Sequence, residues 1–256
     1  MPDRRYVPGL DGIRAIAVLL VIAYHLNVTH AGGGMLGVGV FYTLSGYLIT
    51  DLLLDSWRRH GDLRLGRFWL HRARRLLPAL FLMLAAVSLW VALFDSSQLS
   101  GVRRQVWGAV LYVSNWSTIE QNGSYFARFA PPLPLDHLWS LAIEEQFYIV
   151  WPFLLLALIW FVRSRRKMAL VTLAVAGASA LAMGLVYQPG YDPTRAYEGT
   201  DTRAFGLLIG CALAMVWPMR SVTANLGRSA SKVLDGIGLA GPVSYTHLTL
   251  PTNREV

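Results

Sequence analysis

Apolar residues in this chain gather into long runs, broken by short stretches rich in arginine or in proline and glycine. That is the pattern of helices whose solvent is lipid. Six runs approach or reach membrane length, at residues 10–28, 35–54, 76–94, 138–162, 168–187 and 204–217. Each holds roughly 14 to 25 residues, against about 20 needed to cross the hydrocarbon core. The stretch 106–113 is too short to span and reads as re-entrant or interfacial. The first run is long, has no small-residue cleavage site behind it and is followed by further spans, so it reads as an uncleaved anchor rather than a signal peptide. The pattern predicts an all-α integral membrane protein, a polytopic helical bundle of about six to seven spans.

Composition agrees. Of the 256 residues 54% are hydrophobic and only 15% charged, against about 25% charged in typical soluble domains. A soluble two-domain enzyme and a disordered chain are both excluded. The net charge of +8 comes from arginine, with Lys167 and Lys232 the only lysines. In a soluble protein that excess would suggest nucleic acid. Here the arginines sit between apolar runs, where the positive-inside rule puts them, and no nucleic acid is expected. Arg58, Arg59, Arg64, Arg67, Arg72, Arg74 and Arg75 make the break between the second and third runs cytoplasmic, and Arg4 and Arg5 put the N-terminus on the same side. Arg163, Arg165, Arg166 and Lys167 mark another inner loop, leaving residues 95–137 and 188–202 outside or re-entrant. The expected location is the inner (plasma) membrane. The single cysteine, Cys211, lies in an apolar run and excludes an intrachain disulfide.

Ionisable residues inside spans cost at least about 2.5 kcal/mol each at the helix centre, so each is a functional candidate. Arg14 and His25 are separated by about 1100° of helical turn and about 16 Å of rise, which puts both on one face. Taken alone, Arg14 reads as a snorkelling anchor and His25 equally well as an interhelical hydrogen-bonding residue. On the run from residue 138, His137, Ser140, Glu144 and Tyr148 share a face, and Glu145 points about 100° away. Two adjacent carboxylates in an apolar run require a cationic or hydrogen-bonded partner, or a proton. Glu144 lies about 10 Å from the outer end, a depth like that expected of His25, and a His meeting a carboxylate is the minimum apparatus for acid–base work on a hydroxyl. Ser45 and Gly46 sit mid-span among aromatics, where small residues allow close helix approach. Asp201 and Arg203 read as an ion pair at the outer mouth of the last run. The cluster Arg72, Arg74 and Arg75, ending near Pro78, reads either as a topology determinant or as a phosphate clamp for an anionic donor.

Five stretches occur in an order and spacing that resemble the membrane acyltransferase-3 family, whose members acylate sugars of surface polysaccharide, lipopolysaccharide or peptidoglycan. They are LDGIRAIAVLLVIAYH (10–25), FYTLSGYLIT (41–50), RFWLHRARRLLPAL (67–80), HLWSLAIEEQFYIVWP (137–152) and TDTRAFGLLIG (200–210). The resemblance implies a bacterial O-acetyltransferase that takes acetyl-CoA or another acyl-CoA from the cytoplasm and a carbohydrate hydroxyl on the outer side, with no metal. Carried over, the family's Arg–His pair maps to Arg14 and His25, and its acidic residue to Glu144 with Glu145 beside it. The arginine-rich motif maps to Arg72, Arg74 and Arg75. His25, Glu144 and Glu145 are thus the catalytic candidates, and Arg14, Arg72, Arg74 and Arg75 the donor-binding ones. Ser45, His137, Tyr148, Asp201 and Arg203 are the candidates for substrate contact. A proton-coupled transporter using His25 and Glu144 as a relay, or a non-catalytic membrane partner, is the alternative, although no internal repeat of the transporter kind is visible.

The family's transmembrane domain is expected to have about ten spans, each of the usual crossing length, so residues 1–220 read as an incomplete acyltransferase-3-like domain. Residues 221–242 are polar and weakly patterned, and 243–256 (VSYTHLTLPTNREV) resemble a translated sequencing adaptor, which makes the chain a truncated product on this reading.

Overall fold

The computed structural model describes residues 8–26, 28, 36–120 and 133–219. The expectations for Arg4 and Arg5, for 221–242 and for 243–256 lie outside the described residues. All regular structure among the described residues is helical: α1 (Pro8–His25), α2 (Leu36–His60), α3 (Leu65–Phe94), a 3₁₀ turn (Ser96–Gln98), α4 (Leu99–Val110), α5 (Ser114–Glu120), α6 (Leu138–Phe161), α7 (Arg165–Val186), α8 (Thr194–Glu198) and α9 (Thr200–Val216). Five segments are long and apolar enough to cross a membrane, namely α2, α3, α6, α7 and the continuous stretch Thr194–Val216. The described apolar part of α1, Gly12–His25, is shorter than that length.

α9 is the central helix and packs along both α2 and α7. Its contact with α2 is made backbone to backbone. A Cβ on Gly46 would stand 1.9 Å from the Leu207 carbonyl oxygen, and one on Gly210 would stand 1.9 Å from that of Thr43. Glycine is required at both positions because only hydrogen leaves the helices room to touch. Cys211 is fully buried in the same seam. Around it a core joins Tyr42, Leu53, Trp139, Ile143, Trp151, Leu155 and Leu207. A second apolar cluster, with Leu84, Val91, Val102 and Leu135, holds α4 folded back along the C-terminal half of α3.

The basic stretch before residue 76 is not a loop. α3 begins at Leu65 and runs through Pro78 as one 30-residue helix, so Arg67, Arg72, Arg74 and Arg75 all lie within it. Side-chain contacts explain the longer helix. Leu65 and Phe68 pack against the core, and the Trp69 indole N–H donates to the Tyr148 carbonyl at 3.0 Å. Counting arginines as loop residues misplaces the boundary wherever an arginine has a partner inside the protein.

The α2–α9 contact generates a stability expectation. Gly210→Ala drives a methyl into backbone and should cost about 1–3 kcal/mol, read as a lower melting temperature in detergent. Gly177→Ala meets nothing within 4 Å and should leave the melting temperature unchanged or raise it. Equal melting temperatures for the two variants would contradict the close contact.

Candidate functional site

Both carboxylates of α6 are satisfied by neighbouring helices, each in its own direction. Glu145, with its side chain 8% exposed, receives the Arg72 guanidinium of α3. Arg72 Nε donates to both carboxylate oxygens, at 2.8 and 3.0 Å, and Nη2 donates to Oε1. The same guanidinium lies over the Tyr148 ring, 3.4 Å from its centroid. Glu144, about 100° round the helix, accepts the Ser45 hydroxyl of α2 at 3.1 Å. The Tyr148 hydroxyl comes up to that same serine. Five candidates from three helices thus share one cluster: Ser45, Arg72, Glu144, Glu145 and Tyr148. Arg72 is engaged there with Glu145 and the Tyr148 ring, whereas Arg74 and Arg75 are exposed.

His25 is not bonded to Glu144. Its Nδ1 meets the Val21 carbonyl oxygen at 2.8 Å, one turn back on α1. A carbonyl only accepts, so this contact puts the proton on Nδ1 and leaves Nε2 as the basic nitrogen. The two members of the predicted pair also differ in depth. His25 stands within electrostatic reach of His137 at the start of α6, and Arg14, not His25, within reach of Glu144. The register of α1 on α2 sets this difference, since Gly37 abuts Ala17 and Val21.

Asp201 and Arg203 do not pair with each other, because residues two apart on a helix point in different directions. Asp201 binds Arg195 of α8, with Arg195 Nη2 2.7 Å from Oδ2. Arg203 is buried and stacks on Tyr197, its guanidinium carbon 4.2 Å from the ring centroid. It also lies 6.0 Å from the ring of Tyr42, whose hydroxyl donates to the Ser140 carbonyl at 3.2 Å. Tyr42 therefore links the Arg203 group to the Glu144 group, and the result is a polar seam running from Arg72 through Ser45 and Tyr42 to Arg203.

Sequence reasoning missed the supports of this seam. Gln146 accepts the Thr200 hydroxyl at 2.6 Å and donates to Asn115 at 3.0 Å, and Asn115 donates to the Glu198 carbonyl at 3.0 Å. Gln146 is itself a polar residue in an apolar run and could have been singled out. Asn115, Tyr197 and Arg195 carry no such signal. Glu198 is fully buried, and neither of its carboxylate oxygens has a hydrogen-bond partner among the described residues. Among the described residues no group of three or more His, Cys, Asp or Glu side chains is placed to hold a metal ion.

The fold and this seam define a class, a polytopic helical membrane protein with an acid, arginine and hydroxyl cluster held between its spans. The chain belongs to the acyltransferase-3 family, whose acyltransferase domain matches residues 7–230. It is 51% identical over 221 residues to YrhL of Bacillus subtilis, provisionally named a peptidoglycan O-acetyltransferase, covering 86% of this chain and 35% of that protein. It is 46% identical over 242 residues to the peptidoglycan O-acetyltransferase OatA of Listeria monocytogenes, covering 94% of this chain and 38% of that protein. The chain thus spans little more than a third of these relatives. No solved structure gives a significant match.

Two expectations follow from the geometry. Arg72→Gln strands Glu145 inside the bundle, and loss of one partner of a buried pair costs about 3–5 kcal/mol. Its melting temperature should fall well below that of wild type, and Arg72→Gln/Glu145→Gln should recover much of the loss. Failure of the double variant to recover would show that the pair is not what holds α3 on α6.

The second concerns pH. Partial desolvation holds the His137 imidazole below its usual range, with His25 adding to the effect and the Pro134 carbonyl and Asp136 opposing it. The unfolded chain then binds more protons below about pH 6.5, so the His137 contribution to stability is present above that value and lost as pH falls through it. Burial pushes the neighbouring Asp136 carboxyl up, against hydrogen bonds from Leu133 and Gln105. That carboxyl acts in the opposite sense, favouring the folded state on the acid side and losing its contribution as pH rises. Acidification from pH 7.5 to 5.5 should therefore lower the melting temperature of wild type relative to that of His137→Gln, read by thermal denaturation of both at each pH.

Proposed function

We propose that this domain transfers an acetyl group from acetyl-CoA to a hydroxyl of a cell-surface glycan, peptidoglycan being the acceptor that the names of its relatives point to. The observation that supports this reading is the His25 contact with the Val21 carbonyl, which fixes the neutral imidazole as the Nδ1–H tautomer, the form in which Nε2 carries the lone pair. His25 Nε2 takes the acceptor hydroxyl's proton as its oxygen attacks the thioester carbonyl. The C–S bond then breaks, and the imidazolium returns the proton to the departing CoA thiolate. His137 and Arg203 line the acceptor end, with Asp201 on the rim. Arg74 and Arg75, exposed near the start of α3, hold the donor's phosphates, and Arg14 extends that positive path toward Glu144. Glu144 and Glu145 act through Ser45 and Arg72 as positioning residues for the seam. In this reading the protein is a multi-pass plasma-membrane enzyme with the arginine-rich end of α3 and the N-terminus on the cytoplasmic side.

The test is transfer of radiolabelled acetyl from acetyl-CoA to a glycan acceptor by the purified protein. His25→Ala should lower the rate by about 10² to 10⁴, the usual worth of a positioned base, at unchanged expression and helical content. Arg74→Gln/Arg75→Gln should raise the KM for acetyl-CoA and leave kcat nearly unchanged. Near-normal turnover by His25→Ala would sink the assignment.

A further inference from the structure

We propose that the recess between α3 and α4 holds one acyl chain of an anionic membrane lipid, with the lipid phosphate on Arg103. The recess has a volume of about 310 Å³ and is lined by Phe81, Leu84, Ala85, Ser88, Val106, Trp107 and Val110. Its lining sets the small Ala85 and Ser88 beside the larger Phe81 and Trp107, and small side chains among large ones leave a hollow. An ordinary lipid-facing helix surface, filled with leucine, presents no such hollow. The lining is apolar save for one serine hydroxyl, so the matching ligand is hydrocarbon rather than a sugar or a nucleotide.

Charge supplies the rest of the match. Arg103, Val106, Trp107 and Val110 follow one another at spacings of three, one and three, hence on one face of α4. Arg103 lies toward the Asp95 end of this hairpin, where the apolar run of α3 stops, and is exposed. Trp107, 59% exposed, comes one turn deeper. A cation above, a tryptophan at the boundary and an apolar hollow beneath reproduce the order of a lipid: phosphate, glycerol and chain. Arg104, by contrast, lines a separate polar hollow with Gln105, Ser117 and Asp136. The two adjacent arginines therefore face different surroundings. This assignment is independent of the acyl-transfer reading.

The experiment is native mass spectrometry of the detergent-solubilised protein with equal amounts of dioleoyl phosphatidylglycerol and dioleoyl phosphatidylcholine. Wild type should retain phosphatidylglycerol in preference. Arg103→Gln should lower that preference about fivefold, the effect expected of one cation near a lipid surface. Ala85→Trp fills the hollow and should lower retention of both lipids, with helical content by circular dichroism unchanged. Glycerol 1-phosphate, which has the headgroup charge without chains, should not displace the lipid. Equal retention of the two lipids by wild type, an unaltered preference in Arg103→Gln, unaltered retention in Ala85→Trp, or displacement by glycerol 1-phosphate would each overturn the proposal.

Discussion

Two neighbouring carboxylates in the middle of a lipid-facing sequence constrain everything packed around α6. Hydrocarbon offers them no hydrogen bonds, so the protein must supply a partner for each, and adjacent residues on a helix point about 100° apart. Two different helices are therefore needed. α3 brings Arg72 to Glu145, and α2 brings Ser45 to Glu144. That pair of contacts decides which faces of α2 and α3 turn inward. It also keeps the basic stretch around Arg72 helical, where composition alone would leave it a loop. α2 in turn meets α9 through Gly46 and Gly210, so the polar cluster and the tightest backbone contact of the bundle share one helix. A change at either reaches the other through α2.

Much of this was legible in the chain. The spans at α2, α6 and α7 follow from the lengths of the apolar runs, and Glu144 and Glu145 announced themselves as polar residues where none is cheap; the stretch 106–113 overlaps only the second half of α4, which begins at Leu99. What hydropathy could not supply was pairing across helices. Nothing in the spacing says that Glu145 takes Arg72 rather than the arginine two or three positions on, or that Asp201 takes Arg195 from a separate short helix. The start of α3 was misjudged for the same reason. An arginine reads as a loop residue until the carboxylate that neutralises it is known. The expected meeting of His25 and Glu144 was a depth estimate from helix ends, and the register of α1 on α2, set by Gly37 against Ala17 and Val21, moved it.

The separation of His25 from the carboxylates bears on the chemistry. A histidine hydrogen-bonded to a carboxylate is a stronger base, because the imidazolium it forms is stabilised. A histidine whose Nδ1 is held by a backbone carbonyl gains tautomer and orientation but little of that charge stabilisation. The carboxylates brace the bundle: Glu145 fixes Arg72 over Tyr148, and Glu144 fixes Ser45, while the Tyr42 hydroxyl donates to the Ser140 carbonyl between the Arg72 end and the Arg203 end of the seam. The two ends of the seam hold their cations differently. At one, Arg72 is neutralised by Glu145; at the other, the buried guanidinium of Arg203 lies 4.2 Å from the Tyr197 ring centroid and 6.0 Å from that of Tyr42. Aromatic faces attract a cation that has left water, so rings do for Arg203 part of what a carboxylate does for Arg72.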